Sequence, residues 1–181
     1  MNMFLKLVLI FFVLFGSFVI AIGFVLPKRW QVSRSIIIHQ RPRVIYPLVA
    51  DFKQGWPKWS AFDNEDPTIQ YSYSGPSLGS GASRSWISSK MGNGFQTVTA
   101  ADPASGIQFE LKMEKTNFKL NGKISFESAG KDTKVTWTDW GDSGNNLFFR
   151  YMSTMMDRMM GKAFEQSLEN LKEKSEKTAN R

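Results

Sequence analysis

The chain offers few side chains of the types that enzymes use as nucleophiles or as transition-metal ligands. His39 is the only histidine, and there is no cysteine. A nucleophilic triad needs a histidine beside a hydroxyl and a carboxylate, and zinc usually takes several histidine or cysteine ligands. His39 follows a predicted strand, and no nucleophile motif accompanies it. We therefore interpret it as a solvated or locally hydrogen-bonded side chain, and we predict no catalytic residue, no metal site and no cofactor.

The densest group of acidic residues consists of Asp63, Glu65 and Asp66. Carboxylate oxygens are the ligands that hard cations such as Ca²⁺ prefer, so this group could hold a cation. Asp66 precedes Pro67, however, and this pair is typical of the start of a turn. We favour the interpretation that the three carboxylates are turn and cap residues in a polar loop.

A second pair of carboxylates, Asp139 and Asp142, lies where the last predicted strand ends. Either could act as a general base if burial raised its pKa. Gly141 and Ser143, which flank Asp142, are residues that favour turns. The local composition therefore favours an exposed turn over a buried base.

Methionine is concentrated in the C-terminal part of the chain. It is flexible and polarisable, and surfaces that bind varied apolar partners use it heavily. The cluster could line a cavity that adapts to different acyl or ring shapes, or it could fill an ordinary core; both interpretations stay open. Its members are Met152, Met155, Met156, Met159 and Met160.

An aromatic group lies in a stretch that is otherwise rich in loop-forming residues. Trp56, Trp59 and Phe62 occur among the Gly, Pro, Asp and Asn residues of 52–67. They could cover the mouth of a cavity, insert into a lipid interface, where tryptophan is enriched, or plug the end of the core. The sequence does not choose among these three roles.

The region between residues 69 and 140 alternates between apolar and polar residues, as half-buried β-strands do. The clearest case is 107–114, in which every second residue from Ile107 to Met113 is apolar and the others are polar or charged. Turn-forming residues divide the region into about six strands, and a strand over 31–39 precedes them. Such an antiparallel sheet must cover its apolar face.

The residues from 147 to about 177 are the element that can cover this face. They contain no proline, and their apolar residues recur at spacings of three and four, as in an amphipathic helix. A short helix over 42–51 lies between the first strand and the aromatic loop. The predicted fold is α+β: a curved antiparallel sheet of about seven strands wraps around a long C-terminal helix and leaves a cleft between the two.

The residues from Leu7 to Leu26 form an apolar run of twenty without a charge. A helix needs roughly 20 such residues to cross a hydrocarbon core about 30 Å thick. A cleaved signal peptide is the alternative, but its apolar core is usually shorter, roughly 7–15 residues, and ends in an Ala-x-Ala-like site. Residues 21–23 match such a site poorly. We therefore predict that residues 1–27 form a retained, single-pass membrane anchor.

The remainder of the chain is basic. Setting Lys6 aside leaves 22 of the 23 Lys and Arg residues against 16 Asp and Glu residues, which favours contact with anionic lipid headgroups. The basic residues are scattered and form no nucleic-acid-binding motif, so we predict no nucleic-acid partner. The Lys and Arg residues after the apolar run favour a cytoplasmic domain, whereas a very short N-terminal tail often accompanies the opposite orientation. Both orientations stay open.

Short strings distributed along the chain, in the order of these elements, form a familiar combination. They are VSRS (32–35), VIYPLVAD (44–51), WPKWS (56–60), DP (66–67), YSGP (73–76), GSGA (79–82), Trp86, VTW (135–137) and GKAFEQSL (161–168). The combination resembles the START/Bet v1-like superfamily, and most of all its bacterial branch known as SRPBCC or polyketide cyclase/dehydrase-like proteins. Some members carry an N-terminal anchor. The resemblance implies a helix-grip domain over 30–176 with an elongated apolar cavity, and we expect a disordered tail over 177–181.

Proteins of that superfamily bind lipids, hormones and polyketides, and some only assist other proteins. With the predicted cleft and anchor, the resemblance indicates binding of a hydrophobic small molecule or lipid at the membrane; no protein partner is indicated. One alternative is an enzyme of the polyketide cyclase/aromatase kind, which needs a His, Arg or carboxylate deep in the cleft. Another is a non-catalytic assembly or interaction module whose cavity is filled by its own side chains. We expect the cavity to be lined by Trp86, Phe109, Leu111, Phe126, Trp137, Met152, Met156 and Met159.

Overall fold

The structure is a computed structural model, and it describes residues 2–64, 66–116 and 118–178. Of the predicted tail, 177–178 belong to the last helix, and 179–181 lie outside the described residues. Two short 3-10 turns, Trp56–Lys58 and Phe62–Asn64, lie in the loop after α2. The elements are α1 (Met3–Val25), β1 (Arg29–Ile38), α2 (Pro42–Ala50), β2 (Gln70–Ser74), β3 (Ser83–Ile87), β4 (Gly94–Asp102), β5 (Gly106–Met113), β6 (Lys119–Ala129), β7 (Asp132–Asp142), α3 (Leu147–Ser153) and α4 (Met156–Thr178).

The strands form one antiparallel sheet in the order β1-β7-β6-β5-β4-β3-β2. From β2 to β7 each strand pairs with the next one along the chain, and β1 pairs with β7. The alternation read from the sequence is present in β5, where Ile107 and Phe109 are buried while Gln108 and Glu110 are exposed. Helix α4 packs on the sheet against β1. The predicted sheet wrapped around a C-terminal helix is confirmed.

The C-terminal helix is divided in two, so the prediction of one continuous helix is wrong. α3 ends at Ser153 and α4 begins at Met156. At the break, both the backbone N–H and the hydroxyl of Thr154 donate to the carbonyl of Tyr151, at 3.2 and 2.7 Å. A bond to the residue three positions earlier tightens the turn, and the hydroxyl competes with helix propagation. The side chain of Asn146 caps α3 by accepting the backbone N–H of Phe149 at 3.2 Å.

An aromatic cluster fills much of the space between the sheet and α4. Trp137 of β7 stacks on Phe164 of α4 with ring centroids 4.1 Å apart. The rings of Trp56 and Trp59 lie 4.7 Å apart, and both are buried. Trp59 also donates its indole N–H to a main-chain carbonyl of α2. The two tryptophans of the loop therefore pack in the core, with Phe62 half-buried beside them.

Helix α1 differs from the other helices because its surface is almost entirely apolar and exposed. With 23 residues, the helix is long enough and apolar enough to cross a bilayer. Gly23 is its one buried residue. The last turns of α1 pack against α3, so α1 contacts the domain at the first helix after the last strand of the sheet.

Candidate functional site: a cavity between the sheet and α4

A cavity of about 180 Å³ lies between the sheet, α4 and the loop that follows α2. Its wall is mostly aromatic and aliphatic, because the inward positions of β3, β5 and β7 carry large apolar side chains. Two residues of the aromatic loop, Trp56 and Phe62, belong to the wall, whereas Trp59 lies behind them in the core. The expected lining residues that border this cavity are Trp86, Phe109, Leu111 and Trp137.

The other expected lining residues lie elsewhere. Phe126 is buried in the core, and Met159 is 54% exposed. Met152 and Met156 line a separate apolar groove beside α3. Met160 borders the cavity instead, because it lies four residues before buried Phe164 and therefore on the inward face of α4, whereas Met159 does not.

A buried ion pair forms the polar side of the cavity. Arg84 of β3 donates to a carboxylate oxygen of Asp63 at 2.7 Å and to the side-chain oxygen of Gln96 at 2.9 Å. The side chains of Arg84 and Asp63 are only 7% and 5% exposed. A buried guanidinium is tolerated when its donors are satisfied, and aromatic faces attract it further. Four rings lie 5.2 to 5.9 Å from it, those of Phe52, Trp56, Tyr71 and Trp86.

The acidic loop is more than a set of turn residues. Asp63 does lie in a turn, the 3-10 turn Phe62–Asn64, but its side chain is a buried partner of Arg84 rather than part of a polar loop surface. Asp66 does form a turn, because it accepts hydrogen bonds from the backbone and hydroxyl of Thr68. Hydrogen bonds from Ser88, at 2.6 Å, and from Thr68 lower the pKa of Asp66. Glu65 lies outside the described residues.

Asp139 is the second buried carboxyl group of the cavity, so its predicted exposed turn is wrong. It is 3% exposed and borders the cavity, and its Oδ1 accepts the indole N–H of Trp137 at 2.8 Å. Asp139 lies two residues after Trp137, and the period of a strand places both on the same face. This signal was present in the sequence. Asp142 is exposed, as predicted, but it is the last residue of β7, and its carboxylate lies 3.7 Å from the guanidinium of Arg29.

Burial changes the protonation of Asp139. Desolvation raises its pKa to about 8, against a smaller lowering by the hydrogen bond from Trp137. The group is therefore mostly protonated at neutral pH and can donate a hydrogen bond into the cavity. Gly122, on the neighbouring strand, leaves room for it: a Cβ atom there would lie 2.0 Å from the ring of Phe109 and 2.6 Å from Asp139 Oδ1.

A second donor in the cavity wall has no partner among the described residues. The indole N–H of Trp56 is buried and makes no hydrogen bond to the protein. A buried donor that stays unsatisfied costs about 1–3 kcal/mol. Protonated Asp139 thus gives the apolar cavity a group that can donate to an acceptor atom, and the indole N–H of Trp56 lies buried within the same wall.

His39 lies away from this cavity. Its side chain is exposed, and its Nδ1 is 3.0 Å from a carboxylate oxygen of Asp132. This contact agrees with the interpretation of a locally hydrogen-bonded histidine. Within the part of the chain that the structure describes, no group of three or more His, Cys, Asp or Glu side chains could hold a metal ion.

The sheet, the helix that it grips and the cavity between them define the class of helix-grip proteins. A family model described as "Polyketide cyclase / dehydrase and lipid transport" matches residues 29–176. The chain belongs to this family, and the resemblance noted in the sequence is confirmed. No curated protein sequence matches the chain.

Solved structures with low sequence identity share the fold. The NMR structure of the KanY protein is 18% identical, with a TM-score of 0.58 over 82% of this chain and 98% of KanY. The crystal structure of Ara h 8.0201 is 10% identical, with a TM-score of 0.54 over 81% and 97%. The di-domain ARO/CYC protein BexL, from the BE-7585A biosynthetic pathway, is 17% identical, with a TM-score of 0.57 over 83% of this chain and 48% of BexL. At these identities the likeness shows the fold alone.

Proposed function

We propose that the protein binds a hydrophobic small molecule or lipid in the cavity while α1 holds it in a membrane. The observation that supports this most is the composition of the cavity wall, which is apolar apart from a few buried polar groups. Apolar surface removed from water contributes roughly 25 cal/mol per Å² to binding, and a few placed polar groups orient a ligand. An assembly module with a filled core has less support, because a cavity of about 180 Å³ remains beside the aromatic cluster.

The polar groups of the cavity wall indicate the chemical character of the ligand group that would contact them. The protonated carboxyl of Asp139 is able to donate a hydrogen bond into the cavity, so the ligand would carry an acceptor there. A carbonyl or ether oxygen on an otherwise apolar molecule fits this arrangement. Arg84 is already paired with Asp63 and Gln96, and we assign it to holding the wall of the cavity.

Filling the cavity should weaken binding. Leu111→Phe adds volume at a half-buried wall position, and we expect about tenfold weaker binding of a dansyl-labelled fatty acid, equivalent to about 1.4 kcal/mol. Leu111→Met conserves volume and should bind as the wild type does. The measurement is energy transfer from tryptophan to dansyl in the full chain in nanodiscs. Equal affinities in both variants would count against the cavity as the site.

The membrane anchor can be tested independently of the ligand. Because α1 is an uninterrupted apolar helix of spanning length, the full chain should stay in the membrane fraction after high-salt and carbonate washes. A variant that begins at Lys28 should leave that fraction. Sequencing of the mature N-terminus distinguishes an anchor from a signal peptide, and a terminus after residue 21 or 23 would contradict the anchor.

An enzyme is the second candidate, because the cavity holds a carboxyl group of raised pKa. A buried acid near neutral pKa can transfer protons to and from a reactive chain. Incubation with a poly-β-ketothioester should then give an intramolecular aldol product, whose new hydroxyl group is lost as water and detected by mass spectrometry, and Asp139→Asn should abolish this loss. If the wild type leaves the poly-β-ketothioester unchanged, binding without catalysis remains the better account.

A further inference from the structure

Helix α1 is fixed to the domain by one buried side chain. Arg150 of α3 is 3% exposed and donates to the carbonyls of Gly23 and Phe24, at 3.3 and 2.8 Å, in the last turn of α1. It also donates to the carbonyl of Gly144 and the side chain of Asn145. A cation at a helix C-terminus satisfies carbonyls that have no partner within the helix and complements the helix dipole. The end of α1 and the start of α3 are therefore held as one unit.

Helix α3 also packs along the apolar surface of α1. A Cβ atom on Gly23 would lie 3.1 Å from Leu147 and 3.2 Å from Tyr151, so the glycine permits close approach. The hydroxyl of Tyr151 donates to the carbonyl of Val19, six residues before the end of α1 and about 9 Å along its axis. If α1 spans the bilayer, this tyrosine lies at the depth where tyrosine is enriched in membrane proteins. Helix α3 then lies at the membrane surface.

The sheet brings two of its loops to the same end of the domain. The first residue of β1, Arg29, pairs with the last residue of β7, Asp142. At the same end of the sheet, β6 begins beside the end of β5, and Met113 of β5 pairs with Gly94 of β4. The β3–β4 loop (88–93) and the described residues of the β5–β6 loop (114–116 and 118) follow the strands at this end. Both loops therefore lie on the side of the domain from which α1 emerges.

An apolar groove of about 310 Å³ opens between α3 and these loops. Phe148, on its rim, is 67% exposed. Basic residues lie at the same end of the domain, among them Lys28, Lys115 and Lys119, and they suit anionic headgroups. The side chains that form most of the groove are Met91, Met113, Phe118, Phe149, Met152 and Met156.

The groove and the cavity share two lining residues, which form the boundary between them. Met91 and Met113 border both spaces. Methionine side chains are unbranched and adopt many shapes, so this boundary can open without movement of the backbone. The cavity alone is smaller than the 300–1,000 Å³ typical of ligand pockets, whereas the two volumes together, 180 and 310 Å³, fall within that range.

We propose that the groove beside α3 is a membrane-facing entrance, through which a hydrophobic ligand passes from the bilayer past Met91 and Met113 into the cavity. The entrance presupposes the proposed ligand-binding function. The bilayer is the partner of this surface because the groove lies beside α3, which packs against the apolar helix α1, and because its surroundings carry the charge that headgroups attract.

The position of the entrance can be measured directly, since the chain has no cysteine. Full-length Phe148→Cys is labelled with the fluorophore NBD and reconstituted in phosphatidylcholine–phosphatidylglycerol vesicles that contain doxyl-labelled acyl chains. Leu78→Cys is the matched control, because Leu78 is 42% exposed in the β2–β3 turn at the opposite end of the sheet. We expect several-fold stronger quenching at position 148 than at position 78. Equal quenching would overturn the proposal.

The passage of ligand is tested by the rate of uptake. Dansyl-undecanoic acid is mixed with proteoliposomes, and its arrival in the cavity is followed by energy transfer from tryptophan. Phe148→Asp should slow uptake about tenfold with an unchanged final amplitude, whereas Leu78→Asp should behave as the wild type. Equal rates in the two variants would overturn the entrance alone. No energy transfer in the wild type would overturn the proposed ligand binding and the entrance with it, while the quenching experiment would still report the membrane contact.

Discussion

Arg84→Met is expected to lower the free energy of unfolding by about 3–5 kcal/mol. The substitution leaves the carboxylate of Asp63 buried without its partner, and an uncompensated buried charge is strongly destabilising. It also removes the cation from the four aromatic rings around it. Guanidinium-induced unfolding, followed by tryptophan fluorescence, measures the change.

The double variant Arg84→Met/Asp63→Asn separates the cost of the unpaired charge from the loss of packing. Replacing a buried ion pair with neutral groups is often close to neutral in stability, so we expect the double variant to recover most of the loss. A double variant as unstable as the single one would show that the guanidinium, rather than the charge balance, holds this wall of the cavity.

Asp139→Asn is expected to change how stability depends on pH. The folded carboxyl has a pKa of about 8, whereas the ordinary value is 3.8. Between these values the unfolded chain has lost the proton that the folded chain keeps. The stability of the wild type relative to Asp139→Asn should therefore fall as pH rises, by up to about 1.4 kcal/mol per pH unit from pH 4 to pH 8, and level off above.

Asparagine is a close match for the protonated carboxyl, because its side-chain oxygen can still accept the indole N–H of Trp137. Below pH 4 the two proteins should differ least. Unfolding curves recorded at each pH unit give the comparison. Parallel pH profiles would mean that Asp139 is ionised in the folded protein, and the proposed donor in the cavity would be lost.

The fold could be predicted because its signals are local. Alternation between Ile107 and Met113 specifies a strand with one buried face, and the apolar spacing after residue 147 specifies helices. The break at Thr154 could not be read in the same way, since it depends on bonds that the hydroxyl makes only when the turn has formed. The inward position of Met160 rather than Met159 was readable, because Met160 lies four residues before buried Phe164.

The polar part of the site was harder to predict, for two different reasons. Asp139 follows Trp137 by two residues, so its burial was visible in the strand period but was outweighed by the turn-forming residues around Asp142. Arg84 likewise alternates with buried Trp86. Its partner Asp63 is 21 residues away in a loop, and only the tertiary structure brings the two charges together. A buried arginine is credible only once that partner is known.

Native mass spectrometry of the full chain, released from nanodiscs after addition of dansyl-undecanoic acid, tests the central claim most directly. We expect the wild type and Leu111→Met to carry one added fatty acid, and Leu111→Phe to carry much less. A wild-type protein that appears only at the mass of the bare chain, with neither a co-purified hydrophobic molecule nor the added fatty acid, would contradict ligand binding in the cavity.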